Sequence, residues 1–216
     1  MASHHTFSRF GRTVWWTAWL LGMLLSACGA ETHVKKGDAF YAIGEYFDAA
    51  AEYKKAYSRT PVKEKPKRGQ RAWKMAECYR HINYSAKAVG AYQNAIRYNY
   101  PDSMALLYLA QAQHKMGDYK KAIKTYEEFL QREPGNVLAQ AGIDGCMQAA
   151  LWKAKPTRYT VKKEPLLNGR RADFSPALGG DEWDQLYLTT TRPQAKGDGI
   201  SGITGTKSAD IFMSKK

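Results

Sequence analysis

A glycine-rich segment near the end of the chain has the spacing of a phosphate-binding loop. Residues 197–202 read G-D-G-I-S-G, which is a literal G-x-G-x-x-G. In a dinucleotide-binding fold this motif follows a strand and opens a helix, and an acidic residue comes about twenty positions later. Here Pro193 precedes the segment and β-type residues follow it. We therefore predict a loop between two strands at this position.

The acidic residues and histidines also lack the spacing of a metal site or a catalytic site. Asp181, Glu182 and Asp184 lie close together, but without calcium-loop spacing, so we interpret them as a solvated turn. The histidines are a repeat or more apart and have no Glu or Cys at ligand spacing: His33, His81 and His114. No Ser or Cys lies in a recognisable nucleophile motif. We predict a protein that is not an enzyme and has no metal or cofactor.

One cysteine has a context that predicts covalent modification. Two arginines precede an apolar run at 14–25, which is too short to span a bilayer but suits a signal peptide. The run ends in Leu25-Ser26-Ala27-Cys28, which resembles a bacterial lipobox, where the cysteine is acylated and becomes the first residue. By resemblance to known sorting rules, glycine at position 29 implies the outer membrane. We predict a signal peptide at 1–27 and a lipid anchor on Cys28, with the protein on the periplasmic side of the outer membrane.

The charge of the chain favours anionic partners. The 216 residues carry a formal charge of +13, and loss of the signal peptide lowers it by two. Such a balance suits nucleic acid, lipid headgroups, lipopolysaccharide or acidic protein faces. In a periplasm nucleic acid is excluded, so we expect protein partners in the cell envelope.

The middle of the chain is predicted to form stacked pairs of amphipathic helices. In residues 103–136 the apolar positions follow 3-4-3 spacing, a Gly-Asp pair separates two halves, and Pro134 stops the second. Comparable units occupy 30–63 and 69–102. Such a pair cannot bury its apolar faces alone, so neighbouring pairs must stack. A single helix from Val137 onward is interpreted as a cap.

These units resemble the tetratricopeptide repeat. The resemblance rests on the alanine after each turn, followed by an aromatic, a second alanine and a proline. Ala88 and Ala122 are 34 residues apart, which is the period of that family. Ala49 and Ala88 are 39 apart, and we assign the five extra residues to the loop at 62–68. Asn83 replaces the turn glycine of the second unit. The resemblance implies a mainly α fold, an α-solenoid that binds proteins.

The segment after the helices loses helical periodicity. Residues 153–171 carry seven Lys or Arg against one Glu, which predicts a linker, and three β-like runs follow at 172–178, 185–192 and 209–214. Their order resembles one blade of the WD40-like β-propeller repeat of periplasmic proteins. A propeller closes only with about four to eight blades. We therefore expect residues 155–216 to hold a linker and the first blade of an incomplete propeller, in a fragment of a longer protein or a truncated gene.

The overall order of segments resembles a family of lipoproteins. A lipidated N-terminus, a repeat domain at 28–154 and a propeller-like tail are similar to Bacteroidota outer-membrane lipoproteins of the OmpA family, in particular the PorE-like lipoproteins of the type IX secretion system. This implies a structural part of secretion or gliding machinery, with peptidoglycan as a partner only if a further domain follows residue 216. The alternatives are a β-barrel assembly lipoprotein and a glycan-capturing nutrient-uptake lipoprotein, for which Trp73, Tyr98 and Tyr100 are candidate contacts.

The tetratricopeptide resemblance also implies a partner site. The first helix of each pair lines a concave groove in that family, and the matching positions here are Trp73, Glu77, Arg80, His81, Leu107, Gln111, His114 and Lys115. The Lys and Asn of chaperone-type carboxylate clamps are absent, which argues against a receptor for C-terminal peptides. We predict that an acidic, partly apolar protein segment docks in this groove. The alternative is that Trp73 simply packs against the neighbouring repeat.

Two cysteines remain in the repeats. Cys78 and Cys146 occupy the same column of first helices, two repeats apart. Helices stacked roughly 8–10 Å apart place them beyond the Cα separation of about 7 Å that a disulfide tolerates. We predict two free, buried thiols.

Overall fold

The computed structural model describes residues 29–165, 167–197 and 199–215. The predicted signal peptide at 1–27 and the predicted lipid attachment at Cys28 lie outside the described residues. No helix in the described part of the chain is long and apolar enough to cross a membrane.

The helical part is a series of helices, each packed on the next. Helix α1 covers residues 29–42. The helices that follow are α2 Tyr46–Arg59, α3 Lys65–His81, α4 Ser85–Arg97, α5 Met104–Lys115, α6 Tyr119–Arg132 and α7 Val137–Ala154. Consecutive helices contact one another along the whole series, and α5 also touches α7. The fold is a mainly helical, tetratricopeptide-like solenoid, which confirms the helical part of the predicted fold class.

Small and aromatic residues recur in the second helices at the predicted register. Ala49, Ala88 and Ala122 are fully buried. Four residues later in each helix comes a buried tyrosine: Tyr53, Tyr92 and Tyr126. The alanine allows close approach and the ring fills the space between helices, so each repeat contributes the same pair to the core.

The turns between paired helices use the left-handed backbone region. Gly44, Asn83 and Gly117 have φ values of 81°, 57° and 76°. Asparagine is among the few residues other than glycine that adopt this conformation readily. The second repeat therefore keeps the same turn despite losing the glycine.

The five-residue insertion differs from the prediction. We expected it in the loop at 62–68, whereas α3 begins at Lys65 and has 17 residues against 12 in α5. Pro66 stands in the first turn of α3, where its fixed φ and missing N–H are favourable. The Arg68 guanidinium lies 4.1 Å from the ring centroid of Tyr57. Most of the insertion therefore adds a first turn to α3.

Helix α7 ends the described helical series, and its exposed face is largely apolar. The Asn136 side chain accepts a hydrogen bond of 3.1 Å from the Ala139 N–H and so caps the helix. Capping elements of solenoids present a polar outer face. The outer face of α7 instead carries apolar side chains that are each more than half exposed: Leu138, Met147, Leu151 and Trp152. In this respect α7 resembles the first half of a repeat.

Both remaining cysteines of the described chain are free and buried, as predicted. Burial, and then the charge of Glu77, raises the pKa of the Cys78 thiol to about 12. Burial also raises the pKa of Cys146. Both side chains act as small apolar core residues, because the thiolate form is strongly disfavoured.

The segment after the linker forms a small antiparallel sheet. Its strands are β1 Asp173–Gly179, β2 Gln185–Thr190 and β3 Asp210–Lys215, in the order β1-β2-β3. The register pairs Leu188 with Phe212, and a bulge interrupts β1 after Phe174. A propeller blade has four strands, so the described residues show a three-stranded meander only. The predicted propeller is not seen.

The β2–β3 connection docks on the repeats. We call residues 199–207 the Gly202 loop. The Gly202 carbonyl accepts hydrogen bonds from the backbone N–H groups of Phe47 (2.9 Å) and Asp48 (3.2 Å), in the first turn of α2. The Tyr84 hydroxyl donates to the Thr204 carbonyl at 3.0 Å. The glycine-rich segment is thus a loop between strands, as predicted, but its contact with α2 was not predicted.

Candidate functional site

The Trp73 ring is held in a stack of aromatic side chains between two repeats. Its ring centroid lies 4.7 Å from that of Tyr100 and 5.8 Å from that of Tyr108, with interplanar angles of 12° and 23°. Tyr92 meets Trp73 edge-on at 5.7 Å. Trp73 is half-buried. Its large faces are therefore occupied by other rings, and an edge remains for a partner.

Arg80 is fixed beside this stack by Glu77. The guanidinium donates to both carboxylate oxygens, at 3.1 Å from Nε and 2.6 Å from Nη2. It also lies 4.5 Å from the ring centroid of Tyr108. The buried Tyr92 hydroxyl donates to the same carboxylate. Hydrogen bonding to Glu77 raises the pKa of Arg80, so the guanidinium stays charged.

A small pocket connects the second and third repeats. It has a volume of about 90 Å³, and its lining includes Arg80, Ser85, Tyr108, Gln111, Ala112 and Lys115. Lys115 Nζ donates to the Asn83 side-chain oxygen at 3.0 Å, so this ammonium has no carboxylate partner in the described residues. Sites for small organic ligands are typically 300–1,000 Å³. The pocket therefore suits the end of one side chain.

Two other predicted site residues lie away from this pocket. The His81 ring stacks on Tyr46 with centroids 4.3 Å apart, and its Nε2 lies 3.1 Å from the Tyr41 hydroxyl. Burial and the neighbouring Arg80 lower the pKa of His81, so its imidazole is neutral at pH 7. His114 packs edge-on against Tyr119 and Tyr126, toward α7.

Leu107 does not line the groove as predicted. Its side chain is 0% exposed and belongs to the core formed by α5, α6 and α7. The position that holds Trp73 in the second repeat thus faces inward in the third. The predicted groove of eight residues therefore reduces to a centre at Arg80, Gln111 and Lys115, with Glu77 and Trp73 as supports.

The sequence did not predict Tyr108 as part of this centre, and it predicted Tyr100 only as a glycan contact in the alternative function. Tyr108 stands one position beyond the column that contains Trp73, and Tyr100 belongs to the turn before α5. Neither falls at a repeat position associated with the groove. A weak signal was present, because Tyr100 precedes Pro101 at the point where the second repeat departs from the family pattern.

No metal centre is apparent in the part of the chain that the structure describes. Within it, no three or more His, Cys, Asp or Glu side chains are grouped so that they could hold an ion. The site offers aromatic edges, one fixed guanidinium and one ammonium, which are binding groups.

The fold and this inter-repeat pocket define a helical-repeat scaffold. Residues 85–137 match the family model described as tetratricopeptide repeat. Repeats of this family generally act as protein-interaction scaffolds rather than as enzymes. No curated protein matches the sequence significantly.

Several solved structures share the helical architecture at low sequence identity. The C-terminal tetratricopeptide-containing domain of an FK506-binding protein from Plasmodium falciparum is 18% identical, with a TM-score of 0.51 over 60% of this chain and 93% of that one. The myosin chaperone UNC-45 from C. elegans, in complex with a Hsp90 peptide, is 20% identical, with a TM-score of 0.50 over 59% of this chain and 14% of that one. The first repeat domain of Spaghetti (RPAP3), bound to an HSP90 peptide, is 22% identical, with a TM-score of 0.49 over 58% of this chain and 95% of that one.

Proposed function

We propose that the repeats bind a protein segment that places an acidic side chain in the pocket between the second and third repeats. The observation that carries this proposal is the position of Lys115, whose ammonium borders the pocket without a carboxylate partner in the described chain. Arg80 contributes less free charge because Glu77 already compensates it. The partner therefore needs one well-placed carboxylate, not a long acidic run.

The aromatic stack would supply the apolar part of the interface. Trp73 and Tyr108 are half-buried; Tyr108 lines the pocket, and Trp73 stacks on Tyr108. Aromatic side chains and arginine are enriched where truncation weakens binding most. The UNC-45 structure, part of which shares the helical architecture, is a complex with a Hsp90 peptide, which supports a peptide segment as the kind of ligand. An acidic residue flanked by an apolar one matches this surface.

The setting we propose is the cell envelope. The lipobox-like sequence ending at Cys28 supports a lipid-anchored protein on the periplasmic side of the outer membrane. The resemblance to PorE-like lipoproteins supports a structural role in type IX secretion or gliding machinery. The tail would then be the first part of a WD40-like propeller. In the alternative of a glycan-capturing uptake protein, the aromatic faces would have to be free, and those of Trp73 are covered by tyrosines.

A charge reversal tests the pocket without disturbing the core. Lys115→Glu should reduce partner recovery from detergent-solubilised envelope at least tenfold, because it places two carboxylates in opposition. Lys124→Glu is the matched control, since it makes the same charge change on the exposed side of the neighbouring helix α6. Equal recovery with both variants would refute the pocket. The recovered proteins would distinguish secretion-ring, barrel-assembly and uptake-porin partners.

A further inference from the structure

A second, larger cleft lies in the β segment, away from the helical pocket. Its volume is about 670 Å³, and it opens where the end of the linker meets the residues that follow β2. Its walls include Arg170, Arg171, Arg192, Pro193, Gln194 and Phe212. The size falls within the range of sites for small organic ligands.

One of the three arginines is part of the framework of the cleft. Arg192 Nε donates to Asp173 Oδ1 at 3.2 Å, and the guanidinium also donates to the carbonyl of Leu167. These contacts tie the linker to the first two strands. The ion pair with Asp173 also compensates the positive charge of Arg192.

The other two arginines are charged and uncompensated. Arg170 and Arg171 are exposed, and neither makes a hydrogen bond or ion pair to any residue that the structure describes. Successive side chains of an extended strand point to opposite sides. Here the chain bends at these residues, so both line the same cleft. Two adjacent guanidinium groups repel each other, and an anion between them would relieve that repulsion.

We propose that this cleft binds a phosphate monoester carried on a sugar ring. A guanidinium fork matches the oxygen atoms of phosphate, and a monoester carries about two negative charges at neutral pH. The two negative charges of a phosphate monoester can neutralise both free guanidinium groups. The single charge of a carboxylate would neutralise only one of them. Phe212 is half-buried and forms an apolar wall with Pro193, suited to the face of a sugar ring. The Gln194 amide adds a donor and an acceptor for hydroxyl groups.

Calorimetric titration of the full chain with a hexose 1-phosphate, inorganic phosphate and the free hexose tests the proposal. The hexose phosphate should bind at least tenfold more tightly than either part alone. The variant Arg170→Gln/Arg171→Gln should lose at least tenfold in affinity. The control Lys162→Gln/Lys163→Gln removes the same charge from the same linker but outside the cleft, and should bind as the wild type does.

Other outcomes would overturn the proposal. Equal losses in both double variants would mean that a general basic surface attracts anions. Equal affinity for inorganic phosphate and hexose phosphate would show that the cleft does not recognise the sugar ring. The absence of binding to the wild-type protein would show that the cleft is not a phosphate site.

Discussion

The carbonyl oxygen of Gly202 accepts a hydrogen bond of 2.9 Å from the backbone N–H of Phe47. The first N–H groups of a helix have no partner within the helix. The residue before α2, Glu45, makes no side-chain cap, and the Gly202 loop takes its place by accepting from both Phe47 and Asp48. A loop from the β segment therefore completes a helix of the first repeat.

This contact predicts that one glycine controls whether the β segment stays docked. Gly205 has φ +70°, and a Cβ added there would overlap the Phe47 ring. Gly205→Ala should therefore release the Gly202 loop and speed proteolysis of the chain beyond residue 155, while the helical core survives. Gly197→Ala is the control, because Gly197 also has positive φ (+87°) but faces open space. Identical digestion of the two variants would show that backbone strain, not docking, governs protection.

The predicted lipid anchor can be tested separately from the fold. Cys28→Ala should abolish labelling by a radioactive fatty acid and release the protein from the outer-membrane fraction, because it removes the thiol to which the lipid is predicted to be attached. Cys78→Ala is a suitable control, since that thiol is buried. Persistent acyl labelling of the Cys28→Ala protein would contradict the lipobox interpretation.

A buried carboxylate in the first repeat predicts a loss of stability in acid. Glu52 accepts from Lys55 Nζ at 2.6 Å and lies 2.5 Å from His33 Nδ1, while Arg59 lies within 2.5 Å of the opposite ring nitrogen. Burial opposes ionisation of Glu52, but the hydrogen bonds from Lys55 and His33 outweigh it and lower its pKa. The unfolded chain therefore binds the proton more readily than the folded one.

The lowered pKa of Glu52 makes the stability of the fold depend on pH. The stability contributed by Glu52 is present at neutral pH and is lost as the pH falls below about 4.5, toward the lowered pKa of the folded protein. Glu52→Gln should cost about 1 kcal/mol in the free energy of unfolding at pH 7, and this difference should shrink at pH 3, as measured by urea unfolding. Glu128→Gln, which affects only the exposed pair with Arg132, should change little. A pH-independent difference for Glu52→Gln would contradict the assignment.

The sequence was sufficient to predict those features of the fold that recur in every repeat. The buried alanines, the following tyrosines and the left-handed turns reappear at fixed positions, so their pattern identifies the helix pairs directly. The insertion adds a first turn to α3, and proline suits that turn, so the composition of residues 62–68 does not separate a loop from a helix start. The docking of Gly202 on α2 has no periodic signal, since backbone groups make the contact.

The partner site stays a prediction, and the repeat register brings two of its residues together. Arg80 and Lys115 both line the pocket between the second and third repeats, and the Arg80–Glu77 pair has the i, i+3 spacing that the sequence already displayed. Leu107 was misplaced because equivalent positions in two repeats need not have equal exposure once a ring as large as Trp73 is replaced by leucine. The stack of Trp73 with Tyr100 and Tyr108 depends on side-chain packing between repeats, which spacing alone does not determine.

The docking of the Gly202 loop also sets a path for mechanical force. A pull between residues 29 and 215 would pass through α1, the start of α2, the hydrogen bonds to Gly202 and the sheet, because these parts are joined directly. The third repeat and α7 lie outside that path. Solenoids otherwise transmit tension from each repeat to the next, since each contacts only its neighbours. Until the Gly202 contacts break, the pocket lined by Lys115 would keep its shape under load.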